Sequence, residues 1–195
     1  EIKKKKKLKI LYPSSPYKEF MAGLDEITPE ENYNHKYIIS VFLKNLIKNY
    51  DVEIIYKNFL SSFEMYKKDP IFILMYDHIL KGQIKITFNL PTSLMYECDI
   101  LLLDMLSTTF AEASVIGIPT IIFSNKFDYS IACKDGKKIN DRFEKNNIIF
   151  YDVKNGLKCF ELLLKNYDNY NLDNKNLISD YQNLIAYPID KHSFI

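Results

Sequence analysis

Asp99-Ile100-Leu101-Leu102-Leu103-Asp104-Met105-Leu106-Ser107-Thr108-Thr109 is the stretch on which the fold turns. Aliphatic residues running without a break between two acids read as a strand buried on both faces, which places it at the centre of a parallel sheet. The hydroxyls that follow open a helix over residues 107–117, stopped by Gly117. Ile118 to Ser124 is the next strand, with Pro119 tolerable only near its beginning. Strand, turn, helix and strand thus fit within residues 99–124.

Reading outward from this unit gives more of the same alternation. On the amino-terminal side Leu8 to Tyr12 is a strand ended by Pro13-Ser14-Ser15-Pro16, whose two prolines force an extended loop. Glu19 to His35 shows no clear period and reads as a long loop, with a short helix opened by Thr28-Pro29-Glu30-Glu31. Tyr37, Ile38, Val41, Phe42, Leu46 and Ile47 then form a helical stripe over residues 36–49. Asp51 to Tyr56 is a second strand, two helical segments lie between Leu60 and Gly82 with Asp69-Pro70 opening the second, and Gln83 to Phe88 is a third strand. Residues 91–97 are a turn or two of helix. Beyond Ser124, residues 138–146 read as helix, Asn147 to Tyr151 as a last strand, and residues 156–166 and 174–185 as closing helices.

Alternation at this spacing implies right-handed crossovers and an α/β, Rossmann-like doubly wound parallel sheet of about six strands, with its ligand crevice outside the carboxyl ends of the strands. The 195 residues, 47% of them hydrophobic, are enough for one core without disulfide or metal staples. The expected organisation is a charged linker over residues 1–7, one domain over 8–187 and a tail over 188–195. A charged linker leading so soon into a strand reads as the second half of something larger.

Charge narrows the partners. The 26 basic and 25 acidic residues leave a net charge of +1, too little for the broad positive field of a non-specific nucleic-acid binder. The lysine run Lys3 to Lys7 is read as a solvated linker, with peripheral contact to acidic lipid headgroups as the other reading. Cys98, Cys133 and Cys159 lack metal or redox spacing, which suits a reduced, cytoplasmic setting. The apolar runs are strand-sized, far below the roughly 20 residues that span a bilayer. With five glycines and no GxGxxG after any strand, a dinucleotide oxidoreductase is disfavoured, and the P-loop pattern is absent as well.

The turn from Asp104 to Thr109 carries the chemistry. A helix start offers free N–H groups and a partial positive charge, which suit phosphate. Ser107 or Thr108 can equally cap the helix, with Glu112 partly completing a capping arrangement. Three consecutive hydroxyls exceed what one cap requires.

At this point the sequence resembles a known family. ECDILLLDMLSTTFAEASVIGIPTIIF is similar to the donor-binding segment of GT-B-fold transferases that build bacterial surface polysaccharides: aspartate, hydroxyls, Glu-Ala, a small residue, then Gly-x-Pro and a strand. It looks closest to the CDP-glycerol glycerophosphotransferases of teichoic-acid synthesis and related surface-carbohydrate transferases. The resemblance implies the carboxyl-terminal, donor-nucleotide half of such an enzyme, taking a nucleotide-sugar or CDP-polyol donor as substrate with no separate cofactor and no metal, and lacking its acceptor half. It implies that Ser107, Thr108 and Thr109 contact the donor phosphates, that Ser14 and Ser15 of LKILYPSSPYKEF close the pocket from the opposite lip, and that Glu112, with Asp104, serves the ribose and base side. DVEIIYKNF is similar to the family's second strand, where Lys57 keeps a basic residue for phosphate while Asn58 and Phe59 depart from the usual histidine-proline pair. His35, His78 and His192 match no strand end and read as structural, which leaves the catalytic residue unassigned. Two other classes compete: half of a sugar-nucleotide epimerase, which would want carboxylates and a histidine in the cleft, and a non-enzymatic flavodoxin-like module, which would want an acidic cluster after the first strand.

Overall fold

A computed structural model describes residues 7–17, 27–58, 67–132 and 134–185. The strands are β1 (Leu8–Ser14), β2 (Val52–Asn58), β3 (Ile84–Ile86), β4 (Ile100–Leu103), β5 (Thr120–Phe123) and β6 (Ile149–Phe150). They form a single parallel sheet in the order β3-β2-β1-β4-β5-β6, the doubly wound arrangement expected from the alternation. All four residues of β4 are buried, because helices cover both faces of the sheet.

One face carries α1 (Pro29–Asn49), with α2 (Pro70–Leu74) and α8 (Val153–Lys165) packed against it. Between α2 and β3 lies the short α3 (Tyr76–Leu80). On the other face α5 (Thr108–Ile116) packs on α4 (Pro91–Met95), and α10 (Lys175–Ile185) packs on α5 and on α7 (Lys134–Lys145). A short α6 (Lys126–Ile131) follows β5, and a 3₁₀ turn (Tyr167–Asn169) with α9 (Tyr170–Asp173) leads into α10. Gly117, at φ 85°, closes α5 in the left-handed conformation that favours glycine.

The structure corrects the sequence reading in three places. Residues 29–35 are not loop: Thr28 and Glu31 form a reciprocal capping box and Pro29 sits in the first turn, so the expected short helix and the following one are a single helix, α1. Its buried stripe is also rotated from the apolar one. Tyr37 and Ile38 are exposed, and the inward positions are Asn32, His35, Lys36, Ile39, Ser40, Phe42, Leu43 and Leu46. The helix buries polar residues at its amino-terminal end because that end lies over the carboxyl edge of the sheet, where polar partners wait. Third, β1 runs past Tyr12 to Ser14, and β2 past Tyr56 to Asn58. The ladder of β1 with β4 involves only Ile10 and Leu11, so Pro13 sits where β1 is paired on one side alone and a missing N–H is tolerated. The expectations at Glu19 to Glu26, at residues 59–66 and at Cys133, with the linker as far as Lys6 and the tail, lie outside the described residues.

The core centres on a group of rings. Phe123 of β5 meets Phe150 of β6 edge-on at 4.7 Å between centroids and Phe42 of α1 at 5.6 Å. Gly156 lets α8 approach this group: a Cβ there would lie 2.5 Å from Phe150 Cε2 and 3.1 Å from Phe42 Cε2. Gly156→Ala is therefore expected to cost about 1–3 kcal/mol of overpacking in a urea titration. An unchanged midpoint would show that α8 can shift outward freely.

Candidate functional site

Between β1 and β4 the strand order reverses, and a crevice opens beyond their carboxyl ends. It is a cleft of about 380 Å³, within the range of small-ligand sites. One wall is the end of β1 and the loop that follows it, Pro13 to Pro16. Lys57 and Asn58 at the end of β2, and Leu90 and Pro91 at the start of α4, continue the lining. Asp104, Met105 and Ser107 to Thr109 close it.

Its inner side is a buried ion pair. Lys36 Nζ lies 2.7 Å from Asp104 Oδ2, with the lysine fully buried and the aspartate 2% exposed. The ammonium also donates to Ser14 Oγ at 2.6 Å, to the Ser15 carbonyl at 2.8 Å and to Ser15 Oγ at 3.1 Å. Asp104 in turn accepts from the Ser15 N–H at 2.9 Å, from the Ser15 hydroxyl at 3.0 Å and from the Tyr12 hydroxyl at 3.0 Å. The Asp104 carbonyl accepts from His35 Nε2 at 3.1 Å, so the proton sits on that nitrogen. Three elements, the end of β1, the first turns of α1 and the end of β4, are thereby tied at one point.

Burial alone would push the Asp104 carboxyl up. The Lys36 ammonium, its hydrogen bond, His35 and the Ser15 N–H pull harder, and the group ends below the ordinary carboxylate range. Burial holds the His35 imidazole below its usual value, against the Asp104 charge that raises it, and it is neutral at pH 7. Burial also raises the Tyr12 phenol, with Asp104 adding to the effect, so it stays a donor. At the end of β2, burial lowers the Lys57 ammonium, which donates to the Asn58 carbonyl. Asn58 in turn donates to Asp69 at 3.1 Å, and Asp69 caps α2 through the Ile71 N–H at 2.8 Å.

The structure brings Ser14, Ser15, Lys57, Asp104, Ser107, Thr108 and Thr109 together around the cleft. Their hydroxyls differ. Those of Ser14 and Ser15 are engaged with Lys36, Asp104 and the Ser15 carbonyl. Ser107 occupies the N-cap position of α5 but its side chain makes no capping bond, so the simple capping reading does not hold for it. Glu112 stands apart: it is exposed, accepts from the Thr92 hydroxyl at 3.1 Å, and is not among the lining residues. His78 bonds the Gln83 side chain at 2.8 Å, away from the cleft, while His192 lies outside the described residues.

Lys36 is the residue that sequence reasoning missed. It falls on the inward face three residues before Ile39 and seven before Leu43, but a lysine on a helix is ordinarily counted as solvated. A signal was present: Asn32, Lys36 and Ser40 recur at four-residue spacing on the face that also carries Ile39, Leu43 and Leu46.

Among the described residues no group of His, Cys, Asp and Glu could hold a metal ion, and no helix is long and apolar enough to cross a membrane. Cys98 and Cys159 are free thiols, both pushed up to about 11, chiefly by burial. No curated protein matches the chain. Residues 1–156, which include every strand and every residue lining the cleft, match the family described as LIC12162 family transferase. The chain belongs to the LIC12162 family of transferases.

Proposed function

We propose that the chain is the donor-binding domain of a transferase of GT-B type, which holds a nucleotide-activated donor, a nucleotide-sugar or CDP-polyol, in the cleft between β1 and β4. The observation that carries this reading is the amino terminus of α5 facing the cleft with the Ser107 hydroxyl unspent on capping. N–H groups of a first helical turn and the adjacent hydroxyls of Ser107, Thr108 and Thr109 are donors suited to a diphosphate, and the helix dipole favours its charge.

In this reading the domain supplies fixed donors to the charge that grows on the leaving phosphate, which is electrostatic preorganisation in place of a nucleophile. Ser14 and Ser15 shape the opposite lip, and Lys57, at the end of β2, is a cation of the lining itself. A ribose contact by Glu112 would require its bond to Thr92 to be exchanged. The acceptor and the group that activates it belong to a second domain, and the product to a surface polysaccharide. The family's transferase activity and the switch-point cleft support the reading; the teichoic-acid likeness rests on the sequence from Asp104 to Pro119.

Calorimetric and thermal-shift titration with CMP, CDP, UDP, GDP, NAD and Mg²⁺ tests it. A nucleoside diphosphate at 100 times its dissociation constant is expected to stabilise the protein by about 2.7 kcal/mol. Ser107→Ala/Thr108→Ala is expected to weaken that ligand about tenfold or more, since hydrogen bonds to charged groups contribute about 1.5–3 kcal/mol each. If no nucleotide stabilises the protein, or the double variant binds as tightly as the parent, the donor site is not here.

A further inference from the structure

We infer that Lys36 is a positioning residue whose buried ammonium cancels the Asp104 charge beneath the cleft and thereby makes the cleft able to accept an anionic diphosphate. This rests on the donor-site reading above and adds to it the residue that makes the site electrostatically possible.

The geometry poses a problem that Lys36 solves. Asp104 lines the same cleft as Ser107 to Thr109 with its side chain 2% exposed, so a buried carboxylate lies beneath the surface that a phosphate would approach. At the effective dielectric of a partly enclosed site, an uncompensated unit charge several ångströms from a phosphate opposes binding by enough to lower affinity tenfold or more. Lys36 is fully buried and its ammonium has four oxygen partners within 3.1 Å, which leaves it no donor to offer a ligand. It therefore acts from behind: it neutralises Asp104 and holds the Ser14-Ser15 lip.

The other ionisable groups that face Asp104 do not substitute for it. His35, on α1, is neutral at pH 7, and Tyr12, on β1, is a protonated phenol. Asp69, ahead of α2, and Asp128, on α6, are acids that feel the Asp104 charge and add to the negative field. Lys36 is the cation bonded to the Asp104 carboxylate.

The test titrates CDP, UDP and GDP into the parent, Lys36→Met and Lys36→Met/Asp104→Asn between pH 5 and 8, with cytidine, uridine and guanosine as uncharged probes. Circular dichroism checks the fold of each. Without the ammonium, burial raises the Asp104 carboxyl, so Lys36→Met is expected to bind the diphosphate about tenfold or more weakly than the parent at pH 8. The ratio should close toward one as the pH falls and Asp104 takes up a proton. The nucleoside should be affected much less, and the neutral double variant should bind the diphosphate severalfold more tightly than Lys36→Met at pH 8, with a ratio to the parent that stays constant from pH 5 to 8, since that pair carries no charge to compensate.

A uniform, pH-independent loss for diphosphate and nucleoside alike would mean a merely structural role and overturn the inference. So would a folded double variant that fails to bind the diphosphate. Where Lys36→Met does not fold, the double variant decides by itself. A parent that binds no diphosphate overturns the donor-site reading and this inference together, whereas diphosphate binding by the parent with Lys36→Met unchanged overturns the inference alone.

Discussion

Lys36→Met is expected to lose about 3–5 kcal/mol of stability at pH 7–8, because it leaves the Asp104 carboxylate buried and without its counter-ion. The pair itself does not have to be strongly stabilising for this to hold. Removing both charges by Lys36→Met/Asp104→Asn should return much of the loss, whereas each single change strands a charge. The pH dependence gives the sharper signature. In the parent, the folded-state Asp104 lies below its unfolded value, so its contribution is present above the unfolded value and is lost as the pH falls through the depressed one. In Lys36→Met, burial is opposed only by the weaker pull of His35 and the Ser15 N–H, and the folded value is expected to move above the unfolded one. Protons then bind the folded form more, and stability must rise as the pH is lowered from 8 toward 5. Urea titrations at pH 5, 6.5 and 8 read this directly. A variant that loses stability equally at all three would show that Asp104 is not left charged.

The sheet was legible because its determinants are local. ILLL between two acids can hardly be anything but a strand buried on both faces, and four of the six strands fall inside the run that named them, while β1 and β2 each run two residues past theirs. The turn chemistry was legible too: Asp69-Pro70 and Gly117 open and close the helices where such residues should. What sequence could not yield was the partner of each polar group. Ser14 and Ser15 look alike to Ser107 and Thr108 as hydroxyls at the cleft, yet the first two are held by Lys36 and Asp104, through bonds that span 21 to 89 positions. The rotated stripe of α1 failed for the same reason. Tyr37 and Ile38 belong to one apolar pattern, but Ile39, Phe42, Leu43 and Leu46 form a second at the same spacing, and the one that turns inward is the one that carries Lys36 to Asp104. Short helices such as α6, six residues capped by Asn125, escape for want of enough turns to show a period.

Phe123→Ala is expected to cost about 3–5 kcal/mol, the range for deleting a buried aromatic side chain that its surroundings cannot refill. The ring is 1% exposed and touches three rings on two other elements: Phe150 on β6, and Phe42 and His35 on α1, the imidazole at 5.8 Å between centroids. A cavity there cannot collapse by moving one neighbour, since β5 is held in register by β4 on one side and by β6 on the other. Phe123→Leu, which keeps most of the volume, should cost about 1.5 kcal/mol or less, and the contrast separates cavity formation from loss of a ring pair. The effect should also reach the site. His35 packs on Phe123 with one face and bonds the Asp104 carbonyl through Nε2, so the alanine variant frees the imidazole to turn while leaving Lys36 and Asp104 in place. The His35 ring resonances should broaden or shift in an NMR spectrum of Phe123→Ala, with the affinity for any bound diphosphate changing less than in Lys36→Met. A loss under 1 kcal/mol with unchanged His35 resonances would mean that the aromatic group repacks, and that the core and the cleft are mechanically separate.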